Sequence, residues 1–223
     1  MKLDFGPNSN RVMTEITKKI LESDLPTVFT NKDLVLLYPD TTARYYQVSR
    51  AIRNGEIIRL RRNFYTLNDT YRKNPIDTDA LSYRIDNSSY VSFVSALRNN
   101  NWIPEVVFVC TCVTQKKSRL VDCTLFGFDY QYIKQVDYSK GVQKLNYYGE
   151  VFFQATPLKA LCDYISWRKL DWTSSEPLLE SLRIEEENLM ELTTKDFDEL
   201  QGNYPAYPNT ELFLSSLRKE LGL

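Results

Sequence analysis

The first 67 residues contain short runs of apolar positions at helical spacing, followed by an alternating stretch. Val12, Ile16 and Ile20 are four apart, which predicts one apolar stripe on a helix from about Arg11 to Glu22. Asn10 precedes this stripe and has the short polar side chain that caps helix N-termini. The chain is therefore expected to open with an amphipathic helix.

Two further helices are predicted before residue 56. Thr30 and Asp33 have the spacing of a capping box, and they precede a short apolar run. Thr41 or Thr42 is the expected cap of the next helix. Gly55 follows at the position where a left-handed residue commonly ends a helix.

The segment EIIRLRRNFYTL alternates apolar and basic side chains, which predicts a hairpin. Ile58 and Leu60 are expected on one face and Arg59 and Arg61 on the other, with the turn at residues 62 and 63. Three short helices followed by a two-stranded hairpin is the order of a winged helix-turn-helix domain. In such domains the third helix enters the major groove of DNA, and the hairpin lies along the DNA backbone.

The third helix has two faces if each residue turns the chain by about 100°. Tyr45, Val48, Ala51 and Ile52 fall within about 60° of one line and are expected to pack inward. The residues expected to face outward or to flank that face are Thr42, Tyr46, Gln47, Ser49, Arg50 and Arg53.

Four residues of this outward set are candidates for base recognition: Thr42, Tyr46, Gln47 and Arg50. Gln47 has the amide geometry that pairs with adenine N6 and N7, and Arg50 has the fork that pairs with guanine O6 and N7. Each bidentate contact contributes about 1–3 kcal/mol of discrimination between bases. Tyr46 can reach a phosphate or a thymine methyl group.

Positive charge is concentrated in the same region. Residues 41–73 contain eight Lys and Arg against two Asp and Glu, although the whole chain has a net charge of -1. A merely soluble surface mixes both signs of charge, so this excess favours a nucleic-acid partner. Phosphate contacts fix the register of a protein on the duplex without reading its sequence. The candidates for them are Arg44, Arg53, Arg59, Arg61 and Arg62.

Composition limits the chemistry further. The 223 residues contain no histidine, which removes imidazole bases, imidazole metal ligands and Ser-His-Asp or Cys-His catalytic groups. The four cysteines lack zinc-site spacing, so free thiols are expected and no metal or cofactor is predicted. The charged first residues do not resemble a signal peptide, and no membrane-spanning run occurs, so a cytoplasmic protein without a membrane partner is expected.

The charge distribution divides the chain in two. Residues 1–75 hold 13 Lys and Arg against 8 Asp and Glu, whereas residues 76–223 hold 15 against 21. Turn-forming residues cluster between the two parts, which places the boundary near residue 75. The predicted fold class is α+β: an N-terminal winged helix-turn-helix domain at 1–75, followed by a mixed α/β C-terminal domain at 76–223.

Periodicity in the second part predicts both helices and strands. The expected helices cover residues 92–100 and 157–167, and the expected strands lie at 106–113, about 123–132 and 151–155. The last third contains short amphipathic segments with acidic faces, which are expected to form helices that cover the sheet. These segments are EPLLESL, EEENLMELT, TKDFDELQ and ELFLSSLRKEL.

An enzymatic alternative is a metal-dependent nucleic-acid enzyme. It would need carboxylates that converge on a metal ion, and the candidates are Asp122, Asp129, Glu150 and Asp163, with Lys159. Their order along the chain matches no nuclease or transferase pattern. Lys159 and Asp163 are four apart on a predicted helix and are more simply an ion pair worth roughly a few tenths of a kcal/mol. No catalytic residue is assigned, and the protein is not expected to be an enzyme.

The segment VFTNKDLVLLYPDTTARYYQVSRAIRNGEIIRLRRNFYTL resembles the winged-helix domain of the AbiEi family, the antitoxin and autorepressor half of type IV toxin-antitoxin systems. Asn63 stands where that family has a glycine at the wing tip, and asparagine also tolerates left-handed backbone. In the second part, YVSFVSALRNNNWIPE, CVTQKKSR, TLFGFDYQYI and ATPLKALCDYI are similar to blocks of the AbiEi C-terminal region. Leu158 replaces the glutamate of the family's Pro-Glu-Lys-Ala-Leu block.

The resemblance implies a DNA-binding repressor that acts as an antitoxin and regulates its own operon. It also implies an inverted-repeat operator in double-stranded DNA bound by two copies of the chain, and a neighbouring gene for a nucleotidyltransferase-like toxin that need not be touched directly. Two alternatives stay open. One is a protein-binding neutraliser whose tyrosine-rich body, with 15 Tyr in the chain, binds a toxin or a second copy. The other is a generic winged-helix regulator.

Overall fold

A computed structural model of the protein describes residues 13–105 and 108–223. The chain forms two compact units, one of Met1–Ile76 with Cys123–Leu125 and the other of Asp77–Asp122 with Phe126–Leu223. The described residues contain ten helices and two sheets, which is a mixed α+β fold. The second unit begins beside the turn-forming cluster of the sequence, but the pattern does not predict that residues 123–125 belong to the first unit.

The described residues of the first unit form three helices and one small antiparallel sheet. In chain order its elements are α1 (Glu15–Glu22), β1 (Val28–Thr30), α2 (Asn31–Leu37), α3 (Thr41–Arg53), β2 (Ile57–Arg61) and β3 (Phe64–Leu67). The strand order is β1-β3-β2, so β3 lies in the centre. The strand β1 was not expected, because three residues before a helix cap give no periodicity.

Apolar side chains from the helices and the sheet form the core of this unit. The core residues are Ile16, Ile20, Phe29, Leu34, Val48, Ala51, Ile57, Tyr65 and Leu67. Ile16 and Ile20 are one helical turn apart, and both are buried, as the sequence predicts. Full burial of an Ile, Leu or Phe side chain contributes about 1.5–3 kcal/mol, so this cluster is the main source of stability in the unit.

The first helix starts later than its apolar stripe predicts. Thr14 has an extended backbone and is the N-cap of α1, so the predicted start at Arg11 is wrong. The backbone N–H and the hydroxyl of Thr14 both donate to Glu56 Oε2, at 3.0 and 2.6 Å, which holds the chain out of the helix at this point. The predicted cap Asn10 and the stripe residue Val12 lie outside the described residues.

The caps of α2 and α3 are only partly as predicted. The Thr30–Asp33 capping box is confirmed, with backbone and side chain exchanging hydrogen bonds. The cap of α3 is Asp40 rather than Thr41 or Thr42, because the Asp40 carboxylate accepts from the N–H of Ala43 at 2.6 Å. Gly55 follows the helix with φ at 74°, the left-handed conformation predicted for it.

The hairpin of β2 and β3 turns at residues 62 and 63 as predicted, with Asn63 at a φ of 70°. Its pairing register shifts between Arg59 and Arg61, so that Leu60 is an extra residue in β2. The shift breaks the expected alternation of faces. Leu60 is buried as predicted, but Ile58 is only half-buried.

The second unit is built on a six-stranded mixed sheet. Its strands are β4 (Ser89–Val91), β5 (Val109–Thr114), β6 (Arg119–Asp122), β7 (Gly127–Tyr132), β8 (Val142–Tyr147) and β9 (Glu150–Ala155). They are arranged in the order β6-β7-β5-β4-β9-β8. The pairs β5–β7 and β4–β9 are parallel, and the other pairs are antiparallel.

Seven helices accompany this sheet in the part of the second unit that the structure describes. They are α4 (Thr78–Ile85), α5 (Phe93–Asn99), α6 (Pro157–Arg168), α7 (Glu176–Ser181), α8 (Glu186–Met190), α9 (Thr194–Leu200) and α10 (Pro208–Glu220). The predicted helices at 92–100 and 157–167 and the four helices of the last third are confirmed. The predicted strand at 123–132 begins only at Gly127, because residues 123–125 belong to the first unit. Along the described chain, no helix combines the length and apolar character that a bilayer crossing requires.

Candidate nucleic-acid interface

The helix α3 buries one side and exposes the other. Val48 and Ala51 are buried in the core of the first unit. On a 100° helical wheel the opposite side is centred between residues 46 and 53. The exposed residues of this outward face are Thr42, Tyr46, Ser49, Arg50 and Arg53. The structure therefore brings three of the four predicted base-reading residues together.

Arg44 is placed differently from its prediction. Its side chain is only 7% exposed, and the guanidinium donates to the carbonyl oxygens of Tyr38 and Pro39, at 2.7 and 3.1 Å. These carbonyls follow α2, where helix geometry leaves acceptors without partners, and Arg44 satisfies them. The predicted phosphate contact by Arg44 is therefore corrected to an internal role.

The buried face of α3 begins at Arg44, one residue before the Tyr45 that the sequence predicts. Tyr45, which was expected to pack inward, is 54% exposed, and this prediction is wrong. Gln47 lies on the opposite flank and is half-buried. Its amide oxygen Oε1 is buried and has no hydrogen-bond partner within the described residues. Gln47 therefore does not join the outward group that the sequence predicted.

The hairpin carries three further arginines that the sequence predicts as phosphate contacts. Arg59 and Arg62 are exposed, and Arg61 is half-buried. Within residues 13–105 and 108–223, none of Arg50, Arg53 or these three forms an ion pair. We call Arg50, Arg53, Arg59, Arg61 and Arg62 the arginine group.

The acidic residue nearest to these arginines in sequence is turned inward. Glu56 is 2% exposed and accepts hydrogen bonds from Thr14 and from Asn54 Nδ2, the latter at 2.9 Å. Burial raises the pKa of this carboxyl, but the hydrogen bonds outweigh it and leave the pKa below its usual value of 4.5. The Glu56 carboxylate is thus occupied by internal donors. Nothing in the local sequence indicated this role.

Thr124, which is distant in sequence, forms hydrogen bonds to the edge strand of the hairpin. The backbone N–H of Thr124 donates to the Leu60 carbonyl at 2.8 Å, and its hydroxyl donates to the Arg59 carbonyl at 2.7 Å. Thr124 belongs to the first unit, with Cys123 and Leu125. These bonds hold the edge strand β2 at the point where its register shifts. The partner is 64 residues away from Leu60, so no local pattern could reveal it.

The carboxylates considered for an enzyme do not converge. Asp129 lies on β7 and Glu150 on β9, which are three strands apart and so separated by roughly 14 Å. Over the described part of the chain, no group of three or more Cys, Asp and Glu side chains is arranged to hold a metal ion.

Lys159 and Asp163 form the predicted i,i+4 ion pair, with Nζ and Oδ1 3.6 Å apart, but both side chains are fully buried. The Asp163 carboxylate also accepts hydrogen bonds from four other donors: the hydroxyls of Tyr90, Ser92 and Tyr204 and the amide of Gln135. Burial lowers the pKa of Lys159, and the Asp163 charge opposes that shift. The pair is therefore part of a buried network of the second unit rather than a surface pair.

A second buried carboxylate, Asp86, forms ion pairs with two basic side chains of the second unit. The fully buried side chain of Asp86 contacts Lys116 Nζ at 2.8 Å and Arg119 Nη2 at 2.5 Å. Burial raises the pKa of Asp86, but these cations and the Ser88 and Thr114 hydroxyls lower it well below its usual range. Lys116, after β5, and Arg119, at the start of β6, are thus paired with a buried carboxylate, whereas the arginine group forms no ion pair within the described residues.

Comparisons of the chain with protein-family models and with curated proteins give no match. Membership of the AbiEi family therefore stays a prediction from the sequence blocks described above. The structure itself offers the outward face of α3 and the arginine group, which has no ion-pair partner within residues 13–105 and 108–223.

Proposed function

We propose that the first unit is a winged helix-turn-helix domain that binds double-stranded DNA. Its order of elements, with three helices around β1 and then the hairpin β2–β3, supports this assignment. In that arrangement α3 enters the major groove and the hairpin lies against the backbone. Thr42, Tyr46 and Arg50 then face base edges.

One observation is central to the proposal: the arginine group has no carboxylate partner among the described residues, in a chain whose net charge is -1. Uncompensated charge on the two elements that such a domain directs to DNA is the electrostatic requirement for binding a phosphate backbone. Arg53, Arg59, Arg61 and Arg62 are the proposed phosphate contacts. Arg44 is not among them, because its guanidinium is engaged inside the protein.

The biological role we propose is that of an antitoxin that represses its own operon in the cytoplasm, binding an inverted repeat as two copies. This part is supported by the AbiEi-like sequence blocks. It implies a nucleotidyltransferase-like toxin gene next to the gene of this protein. If that gene is absent, the DNA-binding proposal leads instead to a general winged-helix regulator.

The DNA-binding proposal is tested by measuring the affinity of the full chain for duplexes from the region upstream of its own gene, over a range of salt concentrations. Neutralisation of four phosphates predicts a slope of log affinity against log salt of about -4. Arg62→Ala should reduce the slope, whereas Lys195→Ala, which removes an exposed cation of α9, should not. Binding that does not respond to salt would contradict the proposal.

A protein-binding neutraliser is the second candidate, and one feature of the second unit favours it. The hairpin β8–β9 presents Tyr147 and Tyr148, both exposed, with their rings in edge contact 4.4 Å apart. Exposed tyrosines are enriched at protein interfaces. Co-purification of the neighbouring gene product with the wild-type chain, and its loss in a Tyr147→Ala/Tyr148→Ala variant, would support this function.

A further inference from the structure

We propose that Tyr45 and Tyr46 contact the 5-methyl groups of thymine, so that the duplexes bound through α3 are those with thymine at the positions these rings face. This inference rests on the proposed DNA-binding function and specifies its substrate. It concerns two neighbouring side chains of α3, of which the sequence placed one inside the core.

The first observation is the exposure of both rings. Tyr45 is 54% and Tyr46 is 59% exposed, and within the described residues neither ring stacks on another ring or forms a side-chain hydrogen bond. Of the large apolar side chains exposed in the described part of the first unit, four lie on α2 and α3 and one is Leu125. The four are Val35, Leu36, Tyr45 and Tyr46. Tyr45 and Tyr46 are adjacent on α3, and contiguous exposed apolar area commonly marks a contact surface.

The second observation is the position of the polar alternatives. Gln47, the residue suited to adenine, is half-buried with its amide oxygen covered. Arg50 and Arg53 remain as the long hydrogen-bonding side chains of the outward face, and Arg53 is a proposed phosphate contact. The two tyrosines therefore supply most of the ring and apolar surface of α3 that is open to contact.

The chemistry of the major groove then selects the base. Guanine, cytosine and adenine present hydrogen-bonding groups on their major-groove edges, and thymine alone adds an apolar methyl group. Burial of one methyl group against a ring contributes about 0.8 kcal/mol, which is about a fourfold change in affinity. Because Tyr45 and Tyr46 are about 100° apart around the helix, they face different base steps or different strands.

The experiment compares thymine with uracil, which differ only in this methyl group. A pool of random 24-base-pair duplexes is selected with the full chain, and the recovered sequences are synthesised once with thymine and once with uracil. We expect about fourfold weaker binding to uracil DNA for each methyl group contacted. Tyr45→Ala and Tyr46→Ala should each bind thymine DNA more weakly and lose part of the discrimination.

Two further variants separate the ring from the hydroxyl. Tyr45→Phe and Tyr46→Phe keep the rings and should keep the discrimination against uracil. If the Phe variants instead bind thymine and uracil DNA with equal affinity, the discrimination comes from the hydroxyls and not from the rings, which would overturn the inference. Tyr148→Ala, which removes an exposed tyrosine of the second unit, is the control and should discriminate like the wild type.

The outcomes for the inference and for the proposed function differ. Equal affinity of the wild-type chain for thymine and uracil DNA, with a steep salt dependence retained, would reject the thymine contact and leave DNA binding intact. Failure of the wild-type chain to enrich or bind any duplex would reject the DNA-binding function itself. The thymine-uracil comparison on the wild type needs no variant to fold.

Discussion

The hydroxyl of Thr124 donates a hydrogen bond to the backbone carbonyl of Arg59, 2.7 Å away and 65 positions earlier in the chain. With the N–H bond to the Leu60 carbonyl, it fixes the edge strand β2 next to its register shift. Arg59, Arg61 and Arg62 extend from this strand and its turn. The placement of these arginines therefore depends on a residue that carries no charge.

Thr124→Ala should loosen β2 without changing any charge of the first unit. We expect a loss of about 1 kcal/mol in the free energy of unfolding and faster amide exchange over residues 57–67. Thr124→Ser keeps the hydroxyl and should behave like the wild type. Thr70→Ala, at another exposed threonine of the first unit, is the matched control. Unchanged exchange in Thr124→Ala would show that the hydroxyl does not anchor the strand.

Glu56 should make the stability of the first unit depend on pH in the acid range. Its pKa is lowered in the folded state, so its ionised form stabilises the fold above the unfolded pKa of about 4.5. That stabilisation should be lost as the pH falls below this value and through the folded pKa. Glu56→Gln leaves one acceptor oxygen for the donors of Thr14 and Asn54 and should cost about 1–3 kcal/mol at pH 7. Urea unfolding of both proteins between pH 7 and pH 3 measures the difference, which should shrink at low pH.

Arg50 and Arg62 should contribute to DNA binding in different ways. Arg50→Ala should reduce the preference for the cognate sequence over a scrambled duplex by about 1–3 kcal/mol, because Arg50 faces the base edges. Arg62→Ala should weaken both duplexes alike and make the salt slope shallower by about 0.9, since one phosphate contact is lost. Equal effects of Arg50→Ala on cognate and scrambled DNA would remove its assignment to base recognition.

Asp163→Asn should destabilise the second unit strongly. The substitution leaves the buried ammonium of Lys159 without its counter-charge, which costs about 3–5 kcal/mol in buried pairs. Adding Lys159→Met should recover part of the loss by removing the unpaired charge. Asp198→Asn weakens a surface pair between an exposed Asp198 and a half-buried Arg218, and it should change the unfolding free energy by less than about 1 kcal/mol. Similar effects of Asp163→Asn and Asp198→Asn in urea unfolding would contradict the buried-network interpretation.

The parts of the fold that the sequence predicts are those governed by local chemistry. The Thr30–Asp33 capping box, the left-handed Gly55 and Asn63 and the helices with regular apolar spacing need only neighbouring residues. The helix α4 and the strands β4, β6 and β8 were not predicted. The strand β4 is three residues long, and β8 is an edge strand with mostly exposed or half-buried side chains, so neither has a strong period.

The part of the candidate interface that the sequence predicts also depends on local periodicity alone. Thr42, Tyr46 and Arg50 are outward because helical periodicity determines their direction. Arg44 is the exception to this periodicity. Arginine is counted as polar and is expected to face outward, but its guanidinium donates to two backbone carbonyls inside the protein. Glu56 and Thr124 depend on partners 42 and 65 residues away, which only the tertiary structure brings together.

The return of Cys123–Leu125 to the first unit affects how this protein can be divided. A fragment ending at Ile76 would contain every helix and strand described for the first unit but would lack the segment that bonds to β2. The outer carbonyls of that strand would then be free to pair with another polypeptide, and unprotected strand edges promote aggregation. Isolation of the first unit as a soluble fragment would therefore require a substitute for this short segment, such as a graft of residues 123–125 through a linker.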